Sequence, residues 1–202
     1  MTENELRNIV FEKVKDLAIK GVLIGKEVPV PYKQIYIPGT SSNLEVWCFK
    51  QDIVFYHKLF DKSIGYRDAK IISGEESLVN IILEKDNVQN TKDVGLPLLI
   101  IETKRTQPSS HEIMIYSQKA EQIKSIFPYA KYIFLVFDYV SARTYRHGVN
   151  FDAIFEMPDV YDEKYIKNLR KLILKLFKEA DADLVNLQTT AIRKNQKTHY
   201  KI

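Results

Sequence analysis

Apolar residues at the start of the chain recur at helical intervals: Leu6, Ile9, Val10, Val14 and Leu17. They follow Thr2 and Glu5, which have the spacing of a capping box, so a helix is predicted from about residue 3 to 20, closing near Gly21. Pro29, Pro31, Pro38 and Gly39 then interrupt the pattern and predict loops around a short strand at 35–37. Residues 44–49 and 53–60 are rich in β-branched and aromatic side chains and predict two strands. Two more are predicted at 79–84 and 97–103, joined as a hairpin by a polar loop that holds Asp86, Asn87 and Gly95.

Ser109 and Glu112 form a second capping box, opening a helix with Ile113, Tyr116, Ala120, Ile123 and Phe127 on one face, and Pro128 stops it. Residues 132–137 are almost entirely apolar, the pattern of a strand covered on both faces. A short strand at 151–155 follows, then an amphipathic helix at 162–179 with Ile166, Leu169, Ile173, Leu176 and Phe177 inward and lysines outward. The basic residues after Thr189 predict a frayed tail. This order predicts an α/β fold, a mixed central sheet flanked by helices, as one domain over 1–190 with a basic tail over 191–202.

Composition narrows the function classes. Hydrophobic residues make up 45% and charged residues 28% of 202, enough for a sizeable core. A single cysteine, Cys48, excludes a disulfide framework and a multi-cysteine zinc site. No apolar run reaches membrane-span length, and the acidic N-terminus is unlike a secretory signal, so the chain is expected to be cytoplasmic, without a membrane partner. His57, His111, His147 and His199 are scattered, and no Gly-rich phosphate loop or Gly-x-Ser-x-Gly elbow occurs. The net charge of +4 is a mild basic excess, concentrated over 164–178 and at the C-terminus.

The segment that carries chemistry is Leu96-Pro97-Leu98-Leu99-Ile100-Ile101-Glu102-Thr103-Lys104. In a strand, Leu98, Ile100, Glu102 and Lys104 share a face. An acid and a base closing a buried strand need a reason, because burying either is costly. Metal-assisted phosphodiester hydrolysis supplies one. A carboxylate can hold a divalent cation, while an ammonium two residues on orients water or stabilises phosphorane charge. A second acid-x-Lys, Asp162 and Lys164, opens a helix, where an acid is ordinary dipole chemistry.

Ile100-Ile101-Glu102-Thr103-Lys104, with the helix from Ser109 and the apolar strand 132–137, resembles the PD-(D/E)xK nucleases, which include restriction endonucleases and archaeal-type Holliday junction resolvases. The resemblance implies a restriction endonuclease-like core and an Mg²⁺- or Mn²⁺-dependent endodeoxyribonuclease acting on duplex or branched DNA as a homodimer. It implies Glu102 and Lys104 as catalytic residues and the Thr103 carbonyl as a metal ligand. It also requires an acid on the partner strand. With 79–84 folded back on 97–103, residue 80 falls opposite about 101–103 and is Asn80, an amide without the charge Mg²⁺ prefers.

Three explanations stand. Asn80 replaces an aspartate; another acid (Glu76, Glu75 or Asp68) reaches the metal; or the domain is a non-cleaving DNA-binding or assembly module. Further candidates are Glu5 or Glu12 on the first helix, and Gln118, which could hold the lysine or a phosphate. Arg105, Thr106, Arg143 and Arg146 are placed to touch DNA. Each also has a plain surface explanation. A protein-interaction domain without DNA is the remaining alternative.

Overall fold

The computed structural model describes residues 1–19, 21–36, 44–58, 68–74, 78–84 and 95–199, with side chains for 1–19, 21–33, 47–57 and 96–187. Helix α1 (Glu3–Val14) starts at the predicted capping box, in which the Thr2 hydroxyl accepts from Glu5 N and the Glu5 carboxylate accepts from Thr2 N. A 3₁₀ turn over Lys15–Leu17 ends it earlier than its periodicity predicts.

The proline-rich stretch is a long strand, β1 (Leu23–Tyr36), running through both Pro29 and Pro31. Among the described residues it pairs only with β2 (Leu44–Lys58). On such an edge a missing N–H need not break a ladder, which is why proline failed as a strand breaker here. The two strands predicted at 44–49 and 53–60 are this one continuous β2. Strands β3 (Asp68–Gly74) and β4 (Leu78–Glu84) follow, β3 having no counterpart in the sequence pattern.

Next come β5 (Gly95–Lys104), α2 (Ser110–Ile126), β6 (Lys131–Val136), a short α3 (Ala142–His147), β7 (Ala153–Glu156) and α4 (Glu163–His199). Helix α4 continues to His199, so the backbone expected to fray is helical there. Among the described residues no helix is long and apolar enough to cross a membrane.

Among the described residues the sheet has seven strands in the order β3-β4-β2-β5-β6-β7, with β1 added against β2. β5, β6 and β7 run parallel and the remaining pairs are antiparallel, so the sheet is mixed as predicted. Helices cover both faces. Leu6, Val10 and Val14 of α1 and Ile166, Leu169, Ile173, Leu176 and Phe177 of α4 pack on Ile53, Phe55, Leu99, Ile101, Ile133 and Leu135. On the opposite face, Ala120 and Ile123 of α2 and the following Phe127 pack on Val54, Tyr56, Ile100 and Tyr132. Each Val, Leu, Ile or Phe side chain among them contributes roughly 1.5–3 kcal/mol by leaving water. β5 and β6 are covered from both sides, which their apolar sequences require.

The predicted hairpin is absent. β4 pairs with β2 and β3, whereas β5 pairs with β2 and β6. Asn80 lies opposite Trp47, five positions along β2 from Asp52 and so roughly 16 Å away at strand rise.

Candidate active site

Strand β2 has two successive partners along one edge. Its residues 44–49 ladder with β4 and its residues 53–58 with β5, so the sheet forks over residues 50–52. Asp52 sits in that fork. Beyond Ile101, paired with Ile53, the amide of Thr103 donates to Asp52 Oδ2 at 2.8 Å and the Thr103 hydroxyl to the same oxygen at 2.6 Å. Arg7 Nη1, from α1, holds the other oxygen at 2.7 Å.

The face alternation of β2 and of its edge partner β1 slips at this level. Phe49 packs with Val54 and Tyr56 on the α2 side, while Ile53 and Phe55 face α1 and α4. On β1, Ile24 belongs to the α1–α4 core and Val28 to the α2 core. Between them, Glu27 adopts φ +54°, a left-handed conformation that costs a residue with a Cβ on the order of 1 kcal/mol. Arg7 Nη2 reaches Glu27 Oε1 at 2.9 Å, so one guanidinium ties together the two residues at the slip.

Glu102 follows Ile100 onto the α2 side and is 6% exposed. Burial, then the neighbouring Asp52 carboxylate, pushes its carboxyl up to about 8, against the partial relief of Lys119 and Lys104. Its Oε2 is buried without a hydrogen-bond partner. An acid held in this way gains by taking up a cation.

Lys104 lies beside Glu102. Its Nζ is 3.3 Å from Glu3 Oε1 and 4.6 Å from the centre of the Tyr116 ring. Burial favours the neutral amine, but Tyr116 and the carboxylates of Glu3 and Glu102 outweigh it and hold the pKa above the ordinary lysine value. Lys104 is therefore an ammonium at neutral pH. Lys119, one turn along α2, lies over the rings of Tyr116 and Phe49. Gln51 is fully buried; its Oε1 accepts from Tyr132 Oη at 2.7 Å while its Nε2 has no partner. These residues line a cleft of about 500 Å³ with Glu3, Asn4, Arg7, Glu27 and Lys50.

The predicted residues separate into those at this cleft and those away from it. Glu102 and Lys104 line it, with Thr103 between them. Asn80 does not lie beside β5; Asp52 does, because β5 pairs with β2 and not with β4. Glu76 and Glu75 lie outside the described residues, and for Asp68 only the backbone is described, opposite Glu84. Glu5 serves the helix cap and Glu12 bridges to Lys15; the acid of α1 that reaches the cleft is Glu3.

Gln118 is exposed and absent from the cleft lining, where its neighbours on α2, Tyr116 and Lys119, stand instead. Arg105 is exposed, its amide donating to Glu3 Oε2 at 3.0 Å. Arg143 and Arg146 are exposed on α3, after the C-terminal end of β6, outside the cleft lining. The sequence pattern missed Asp52, Arg7, Glu3, Gln51, Tyr116 and Lys119. For Asp52 a signal existed: Gln51-Asp52 interrupts the apolar run and immediately precedes Ile53-Val54-Phe55.

Two carboxylates bordering one cleft, one with an orphaned buried oxygen, form a donor set suited to a hard divalent cation. Among the described residues no group of three or more His, Cys, Asp or Glu side chains gathers at metal-binding distance. Remaining ligands would come from the main chain, Gln51 or water, which Mg²⁺ retains readily. Neither a protein-family model nor a curated protein matches the chain.

Proposed function

We propose that the protein is a divalent-metal-dependent deoxyribonuclease of the PD-(D/E)xK type, with Asp52, Glu102 and Lys104 as its catalytic set. The observation that carries this is the position of Asp52, on the strand antiparallel to β5 and in the cleft lined by Glu102 and Lys104. Mg²⁺ or Mn²⁺, when bound, supplies a polarised water and positive charge for a phosphoryl oxygen. Asp52 and Glu102 would hold the ion, with the Thr103 carbonyl as a further ligand. As an ammonium, Lys104 has no lone pair to take a proton, so its part is to donate to the phosphoryl oxygen and stabilise charge developing there. Glu3 and Tyr116 fix that amine in place. Cutting both strands of a duplex calls for two such sites, and hence for a pair of copies.

The test is cleavage of plasmid and four-way-junction DNA with Mg²⁺ and Mn²⁺. The chain should cut; Asp52→Asn and Lys104→Ala should each lose at least about a hundredfold in rate; and Asn80→Asp should leave the rate unchanged. Cutting that survives Asp52→Asn would remove the assignment.

One observation favours a second reading, a DNA-binding module without cleavage. Arg7 already neutralises Asp52, so the site is charge-balanced without a metal. That reading expects DNA binding that strengthens as salt falls and no cleavage with either ion, including in Arg7→Ala.

A further inference from the structure

A ladder of rings and amines leads out of the cleft along the α2 side of β1 and β2. At its inner end Lys104 lies over Tyr116, and Lys119 over Tyr116 and Phe49, at 4.6, 4.9 and 5.4 Å. Phe49 is stacked on Tyr32, their centres 3.8 Å apart and their planes 15° from parallel. Tyr32 meets Trp47 edge-on at 6.4 Å, and Lys33 Nζ lies 5.0 Å from the Trp47 ring centre.

The backbone builds this arrangement at one irregularity. The β1–β2 register shifts between Pro31 and Lys33, so Tyr32 and Lys33 both join the face of Trp47 and Phe49 instead of alternating. Trp47 and Phe49 are two apart on β2, and Gln51 at the cleft is two further.

Two features distinguish the ladder from ordinary sheet packing. Tyr32 and Trp47 are only half-buried, Tyr32 lying at the margin of the α2 core. Lys33 and Lys119 lie over rings and join no salt bridge among the described residues, and Lys119 also stands close enough to Glu102 to favour its charged form, so the amines run from the outer rings to the cleft. Aromatic faces interleaved with amines held outside any salt bridge among the described residues, in line with the cleft, suit an unpaired polynucleotide: bases stack on rings while amines follow phosphates. Duplex DNA keeps its base faces stacked internally and cannot use the rings in this way.

We propose that Trp47, Tyr32, Lys33 and Lys119 form a track for an unpaired nucleic-acid strand that continues into the Glu102–Lys104 cleft. This rests on the nuclease reading and narrows its substrate to DNA with a single-stranded segment, such as a flap, an overhang or an open branch point.

Trp47 is the one tryptophan of the chain, so its fluorescence reports the track directly. The full chain is titrated, without divalent metal, with a dye-labelled single-stranded oligothymidylate and with a duplex of equal length, following Trp47 emission and dye anisotropy together. The expected result is salt-sensitive quenching of Trp47 by the single strand, parallel to its anisotropy rise, and little quenching by the duplex. Lys33→Ala with Lys119→Ala, two partly solvated amines whose loss leaves the core intact, should weaken single-strand binding about tenfold and flatten its salt dependence. Single-strand binding by anisotropy without any change in Trp47 emission overturns the track and leaves the nuclease reading standing. Equal quenching by the duplex overturns the preference for an unpaired strand. Absence of binding to either DNA, together with absence of cleavage, overturns both.

Discussion

Asp52 accepts twice from Thr103, at 2.6 Å from the hydroxyl and 2.8 Å from the amide, and so fastens the end of β5 to the fork in β2. Its other oxygen is closed by Arg7. A candidate metal ligand is thereby also a structural clasp between three elements, α1, β2 and β5.

Removing this clasp should cost stability as well as activity. Asp52→Ala leaves Nη1 of the partly buried Arg7 and the amide and hydroxyl of Thr103 without their acceptor, and should destabilise the fold by about 3 kcal/mol in chemical denaturation. Adding Arg7→Met should recover part of that loss, since the partly buried guanidinium, left with Glu27 and Asn4 as its remaining partners, goes with it. Strict additivity of the two changes would show that the pair is not coupled.

The raised pKa of Glu102 predicts a specific pH dependence. Folded, the group titrates near 8; its ordinary value is 4.5. Between these pH values the folded chain retains a proton that the unfolded chain has released, so stability falls as pH rises from about 4.5 to 8 and levels off above. The change is on the order of a few kcal/mol. Glu102→Gln should flatten this slope and be the more stable protein at pH 8, measured by urea unfolding across the range.

A divalent cation should oppose that loss. Binding at an ionised Glu102 releases the extra proton, so the rise in melting temperature given by Mn²⁺ should increase from pH 6 to pH 8. The same rise persisting in Glu102→Gln would place the ion elsewhere.

Tyr132→Phe isolates the buried Gln51. It strands Oε1 of a side chain whose Nε2 already lacks a partner, and should cost roughly 1–3 kcal/mol by denaturation. Gln51→Leu in that background should regain stability, because an apolar pair leaves nothing unsatisfied.

Gly148 should tolerate no side chain. A Cβ there would lie 2.7 Å from the Phe151 ring and 2.8 Å from the Thr144 carbonyl oxygen, and Phe151 is stacked on Phe134 at 4.7 Å. Gly148→Ala should lower stability by about 1–3 kcal/mol and shift the near-ultraviolet aromatic spectrum.

The amino-acid sequence by itself determined most of the helices, strand β6, and Glu102 and Lys104 of the candidate site. The capping boxes at Thr2 and Ser109, the inward face of α4 and the doubly covered strand β6 were legible because caps and periodicity act within a few residues. Glu102 and Lys104 were legible because two charged groups closing a buried apolar strand contradict the pattern around them. Asp52 was not, since its role depends on which strand lies beside β5. Sequence proximity favoured β4, whereas long-range packing placed β2 there and moved Asn80 to the level of Trp47. Alternation could not predict where Asp52 would point, because β1 and β2 slip together at Glu27, and only tertiary contacts hold that left-handed residue in place. Strand pairing and the fork it creates are decided by which faces can be buried together, and that information is spread over the whole chain.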